Sequence, residues 1–202
     1  MPNQQRPTKQ RWNVRSSSTT ETYFYCWMTA KDALEQARAA SYPPLTQMIV
    51  AGVFSALTVE AFLNHLGKEH VPGWDVIERK LSPRGKLQFL QAAFHFKVDS
   101  TRRPYQTLRE MFDLRDGIAH GKSELVVVVK EVDDPDDESA TNTDPDWKKR
   151  CTLPLVSRMV EDAERIARDL NEQATRPGRP LRDPLSPYQV VRSTRRKIRD
   201  TD

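Results

Sequence analysis

Cysteine is almost missing from this chain of 202 residues: Cys26 and Cys151 are the only two, far apart and without ligand-type neighbours. That spacing gives no cysteine-based metal site and reads as two reduced thiols, with one disulfide as the alternative. No glycine-rich phosphate loop occurs, which excludes the usual ATP and dinucleotide enzymes. The four tryptophans, Trp12, Trp27, Trp74 and Trp147, are scattered and define no aromatic platform for RNA. No long apolar run is free of polar residues either. Met48 to Leu66 comes nearest, but it contains Glu60, Asn64 and His65 and repeats on a helical period. It therefore reads as a buried core helix, not a membrane span. The N-terminal stretch is polar and shows no apolar signal region. The expectation is a cytoplasmic protein with no membrane partner and no internal repeat.

What is present is charge, unevenly spread. Of all residues 30% are charged and 37% hydrophobic, enough for one domain of ordinary size with tails. Residues 1–29 carry a net charge of +3 and residues 175–202 one of +5, while 30–174 carry −4. A mildly acidic body thus has two basic ends. Arg192, Arg195, Arg196, Lys197 and Arg199 form a candidate nucleic-acid arm, since such a run can track a phosphate backbone; the alternative is a solvated tail. Residues 1–21 read as a disordered basic arm, 22–174 as a helical domain, and 175–202 as a basic tail rich in proline and arginine.

Within the domain the apolar spacing is helical. Phe24, Trp27, Met28, Ala33, Leu34 and Ala37 predict a helix over 22–40, ended by Pro43-Pro44. A second runs from 45 to 65, with Gly67 as its stop. A short helix follows over 74–81. Ser82-Pro83 is a helix start, with serine as cap and proline in the first turn. Leu87, Leu90, Ala93 and Phe94 mark the inner face of that third long helix. Arg102-Arg103-Pro104 opens the fourth, striped by Tyr105, Leu108, Met111, Phe112 and Ile118. The β-branched run from Glu124 to Val132 then predicts a strand. Residues 131–146 hold eight acidic and no basic side chains and read as a solvated loop, or as a mimic of nucleic acid folded over a basic cleft. Lys149 to Leu153 is the expected return strand, completing an insertion over 124–153. Val156, Met159, Val160, Ala163, Ile166, Ala167 and Leu170 predict the last helix, 155–174. The sum is an all-α bundle of about five helices with a small β-hairpin inserted after the fourth.

Chemistry concentrates at the end of that fourth helix, in Leu114-Arg115-Asp116-Gly117-Ile118-Ala119-His120-Gly121-Lys122. Asp116 and His120 are one helical turn apart, so the carboxylate can orient the imidazole. Imidazole is the side chain suited to proton transfer near neutral pH, and a guanidinium such as that of Arg115 suits a phosphate. Arg115 and His120 stand five apart, roughly 140° round an ideal helix, so they converge only if the arginine wraps or the last turn loosens. Gly117 costs about 1 kcal/mol against alanine in a helix, which points to a backbone passing close by, such as that of a second copy. Glu60 and Asn64 share a face of the second helix and either support the motif or fix helix register by a buried hydrogen bond. His65, Glu69 and His70 straddle the expected helix end at Gly67 with no further ligand near, so no metal is expected.

Arg115-Asp116-Gly117-Ile118-Ala119-His120 is an R-x4-H motif with a polar residue after the arginine, and over about 24–174 the chain resembles the HEPN superfamily of small helical bundles. Ser55 to Asn64 is similar to the early helix of such proteins, and Gly85-Lys86-Leu87 to the start of the third. The resemblance implies a metal-independent endoribonuclease that needs no cofactor, in a toxin–antitoxin or antiviral defence role. It implies His120 as general acid or base, Arg115 stabilising the phosphate and Asp116 orienting the histidine. It also implies RNA as substrate, a homodimer in which two motifs meet, and a cognate antitoxin or other partner protein. Lys122 stands where some members carry a modifiable tyrosine, and is a candidate RNA-phosphate contact. The alternative is a silent RNA-binding or protein-interaction module whose motif builds the dimer.

Overall fold

Helical periodicity sets the architecture. The computed structural model describes residues 12–18, 20–121, 125, 127, 144–174, 183–186 and 191–197. Seven α-helices occur among them: α1 (Thr22–Ala39), α2 (Leu45–His70), α3 (Trp74–Ile77), α4 (Pro83–Phe94), α5 (Leu108–Ala119), α6 (Asp146–Lys149) and α7 (Leu153–Ala174). Helices α3 and α6 are single turns, leaving five long helices in a mostly helical fold. The long helix α2 packs against α1, α4, α5 and α7, so it is the axis of the bundle.

Each long helix buries the stripe its sequence carries. In α7 all seven apolar positions named above are buried, and Ala174 joins them. Helix α1 buries Tyr23, Cys26, Trp27, Ala30, Ala33, Leu34 and Ala37, spaced three or four apart or adjacent along one face. In α2, Phe62, Leu63 and Leu66 lie in the core beside Trp74 and Met111, each large side chain contributing roughly 1.5–3 kcal/mol of burial. The buried hydroxyls of Ser55 and Thr58 donate to the carbonyls of Ala51 and Phe54 at 2.7 Å, so neither costs an orphan donor. Ser82 caps α4 as expected, its Oγ accepting from the Gly85 N–H at 3.1 Å. Ala93, read as inward, is exposed. Both thiols are buried and free, and burial pushes Cys151 up to about 11, so it packs as a small apolar group.

Several expectations are corrected. Helix α2 does not stop near Gly67 but runs through to His70. Gly67 is there for close approach: a Cβ on it would sit 2.1 Å from Trp74 Cε2. The fourth helix opens with a 3₁₀ turn, Tyr105–Thr107, after a cis Arg103–Pro104 bond. Lys149 to Leu153 is no return strand. Pro145 starts the one-turn α6, its carbonyl accepting from Lys148 and Lys149, and α7 begins at Leu153. The partner strand, over 124–132, lies outside the described residues except for Leu125 and Val127, both exposed. The acidic stretch before residue 144 lies outside them too.

The ends also differ from expectation. Where a disordered N-terminal arm and a basic, extended C-terminal tail were read, Trp12–Ser18 (β1) pairs antiparallel with Val191–Lys197 (β2), in the register Trp12↔Lys197 to Ser18↔Val191. Neither segment contains proline, so both backbones keep the donors a ladder needs. This ribbon is one unit and Thr22–Ser186 the other. The bundle reaches past Ala174, because Leu185 is buried in its core and Asp183 pairs with Arg168 of α7 at 3.4 Å.

Candidate functional site

Helix α5 ends at Ala119. His120 is the capping position, its N–H donating to the Asp116 carbonyl at 2.9 Å. Arg115 and His120 lie on different sides of the helix, as their spacing requires, and they do not share a cavity.

Arg115 turns toward α2. Its Nη2 donates to Glu60 Oε2 at 3.1 Å, and the other oxygen of Glu60 accepts from Lys86 Nζ of α4, also at 3.1 Å. One carboxylate thus joins two cations from two helices. The Lys86 side chain is only 6% exposed, so this linkage is shielded from solvent on that side. The guanidinium lies 5.7 Å from the centre of the Phe112 ring, within cation–π range. Its Nε is 3.2 Å from Asp116 Oδ1 but makes no hydrogen bond. Asp116 therefore faces Arg115, and the expected Asp116–His120 side-chain pairing is replaced by the backbone bond. Asn64, one turn beyond Glu60, keeps a buried Oδ1 with no hydrogen-bond partner among the described residues. The bonds of Glu60 serve both of its readings, since Arg115 belongs to the motif and Lys86 to α4.

His120 lies on the other side, at a cavity of about 340 Å³ that Asp113, Trp147 and Arg150 also line. Its side chain is exposed and makes no bond among the described residues. Arg150 Nη1 is 3.3 Å from Asp113 Oδ2, and Arg109 Nε approaches the same oxygen at 3.6 Å. The backbone expected near Gly117 is not a second copy: a Cβ there would meet Trp147 Cβ at 3.1 Å, so α6 of the same chain fills the place. The lining carries Asp113, Asp116 and Asp146 against the single guanidinium of Arg150. Such a cavity can move a proton at His120, and it draws a phosphate only when further cations face it.

The structure therefore brings Arg115, Glu60 and Asp116 together and separates His120 from Arg115 and Glu60, while Asp116 also borders the cavity of His120. Sequence reading had grouped Arg115, Asp116 and His120. It missed Lys86, though the Gly85-Lys86-Leu87 segment had drawn attention, and it missed Asp113, Trp147 and Arg150. Asp113 carries a signal, being two turns from His120 on the same helix face; Trp147 and Arg150 carry none. Lys122 and Arg199 lie outside the described residues. Arg192, Arg195, Arg196 and Lys197 are within β2, where only the backbone is described. Comparison with models of known families, with curated proteins and with solved structures gives no match.

Proposed function

We propose that the chain is a metal-independent endoribonuclease of HEPN type, acting as a homodimer in a toxin–antitoxin or antiviral defence role. The observation that carries the reading is the end of α5, which presents an exposed imidazole at a cavity and, round the helix, a guanidinium held by Glu60. In the reaction a base removes the ribose 2′-hydroxyl proton and the oxygen attacks the adjacent phosphorus. The bond to the 5′-oxygen breaks, and an acid protonates that leaving oxygen. Two proton-transfer groups are needed, and each copy brings one motif histidine. A cation stabilises the charge that builds on phosphate.

A second copy would supply the second of these histidines. The face it would use is on α2. Val53 and Leu57 are half-buried, lie one turn apart and belong to neither core cluster, beside Val50 and Ala61, which pack on the core; only 39% of the most apolar window of this helix is buried. That helix is long and apolar enough to cross a membrane by composition, yet it is the bundle axis; a stripe of this kind suits a helix-to-helix dimer. The remaining partners of the reading are RNA and a cognate antitoxin.

The test is cleavage of labelled mixed-sequence RNA in EDTA by wild type and His120→Ala. Cleavage leaving 2′,3′-cyclic phosphate ends, reduced about 10²–10⁴-fold in the variant with the dimer retained, is the expected result. One observation favours the second reading, a silent RNA-binding or interaction module: Arg115 is tied to Glu60 and does not line the cavity of His120. Loss of dimerisation without any cleavage by wild type would select it.

A further inference from the structure

A second, more spacious cavity plays no part in the account so far. It measures about 800 Å³ and lies between α4, the segment that follows it, and the start of α5. Its size is that of a site for a small organic molecule. Leu87, Val98 and Leu108 give it apolar surface, with the ring of Tyr105 beside them. The Tyr105 hydroxyl is already spent: it donates to Asp169, and burial together with that carboxylate pushes its pKa up. Tyr105 therefore offers the cavity a flat ring and no acid.

Three primary amides line the same space, Gln88, Gln91 and Gln106. The Oε1 of Gln91 accepts from the Val98 N–H at 3.0 Å, which fixes that side chain and leaves its NH₂ to donate. Gln88 and Gln106 are exposed and make no side-chain bond among the described residues. At the rim the charges are unequal. Glu110 is neutralised by Arg158 at 3.4 Å, and Arg109 leans to Asp113. Arg84 is exposed and has no ion pair among the described residues.

A flat apolar floor, amides that both donate and accept, and an unneutralised guanidinium match the three parts of a nucleotide: base face, base edge and phosphate. We infer that this cavity binds one nucleotide unit, its base against Leu87, Val98 and Tyr105, its edge on the glutamine amides and its phosphate at Arg84. The unit is either a free mononucleotide or one residue of an RNA strand. Both cavities are lined by α5, with Arg109 at the larger and His120 at the smaller. Eleven residues of helix separate them, about 16 Å along its axis, so a strand spanning a few nucleotides reaches both. Only the strand form rests on the ribonuclease reading.

The test measures binding apart from cleavage. A labelled 2′-O-methyl oligoribonucleotide, which cannot be cut by 2′-hydroxyl attack, is titrated by anisotropy. AMP, GMP, UMP and CMP are titrated by calorimetry. The full chain is compared with Arg84→Ala and Gln88→Ala, with thermal melting as the control for folding. The expected result is at least a fivefold weaker affinity in both variants at unchanged melting temperature. Binding of mononucleotides that compete with the oligonucleotide assigns a free nucleotide, and binding of the oligonucleotide alone assigns a strand. No binding of either probe by wild type, or equal binding by wild type and the two cavity variants, overturns the proposal. Weakened binding in those variants with no cleavage by wild type sinks the ribonuclease and keeps the cavity site. Cleavage that needs His120 beside unaltered binding in the variants does the reverse.

Discussion

Asp162 has no solvent exposure, yet its carboxylate is held by two partners. Arg103 donates to it from Nε at 2.9 Å and from Nη2 at 2.8 Å, and the Thr107 hydroxyl donates at 2.5 Å. The carboxylate in turn pushes the guanidinium of Arg103 up from its already high value. A buried charge is tolerable only while its partners remain. Arg103→Ala is therefore expected to lower stability by about 3–5 kcal/mol, read from urea unfolding, because it strands the carboxylate. A loss under about 1 kcal/mol would mean that water reaches Asp162 and that the pair is ordinary surface charge. The Glu60 linkage differs, since its carboxylate is 23% exposed and retains Lys86 when Arg115 is removed. Charge at that site is more easily rearranged than at Asp162.

Between elements, the tightest fit is α2 against the Trp74 indole at Gly67. Because a methyl there falls inside the ring of a fully buried tryptophan, Gly67→Ala is expected to cost about 1–3 kcal/mol. Circular dichroism melts would show it, and an unchanged melting temperature would mean that α3 swings away freely. In sequence this glycine was indistinguishable from a helix stop, since both uses ask for a residue without a Cβ. The five long helices were legible because burial on one face leaves a periodic stripe, most plainly in α7. The ribbon was not, because pairing between residues 12–18 and 191–197 leaves no local pattern in either segment. At the site, Arg115, Glu60 and Asp116 were readable from a motif and a shared helix face. Trp147 and Arg150 were not, as they sit on a single helical turn that looked like the edge of a hairpin.

At the scale of the whole molecule, the apolar stripe of α2 is the feature with most to explain. Leu57 is half-buried at its middle and belongs to neither core cluster, so a charge there spares the single bundle and opposes a second copy. Leu57→Glu is expected to weaken self-association at least tenfold in sedimentation equilibrium, with circular dichroism unchanged. A wild type that stays monomeric at high concentration would dispose of the dimer, and with it the two-histidine chemistry. The Asp162 clamp has a consequence of a different kind. It ties down the segment leading into α5, and that segment supplies Val98, Tyr105 and Gln106 to the large cavity. Dissolved ions screen exposed charges over about 10 Å at 0.1 M and about 3 Å at 1 M, but they act less on a carboxylate as enclosed as that of Asp162. Raising the ionic strength thus strips the pull of Arg84, on α4, while the wall that faces it keeps its shape.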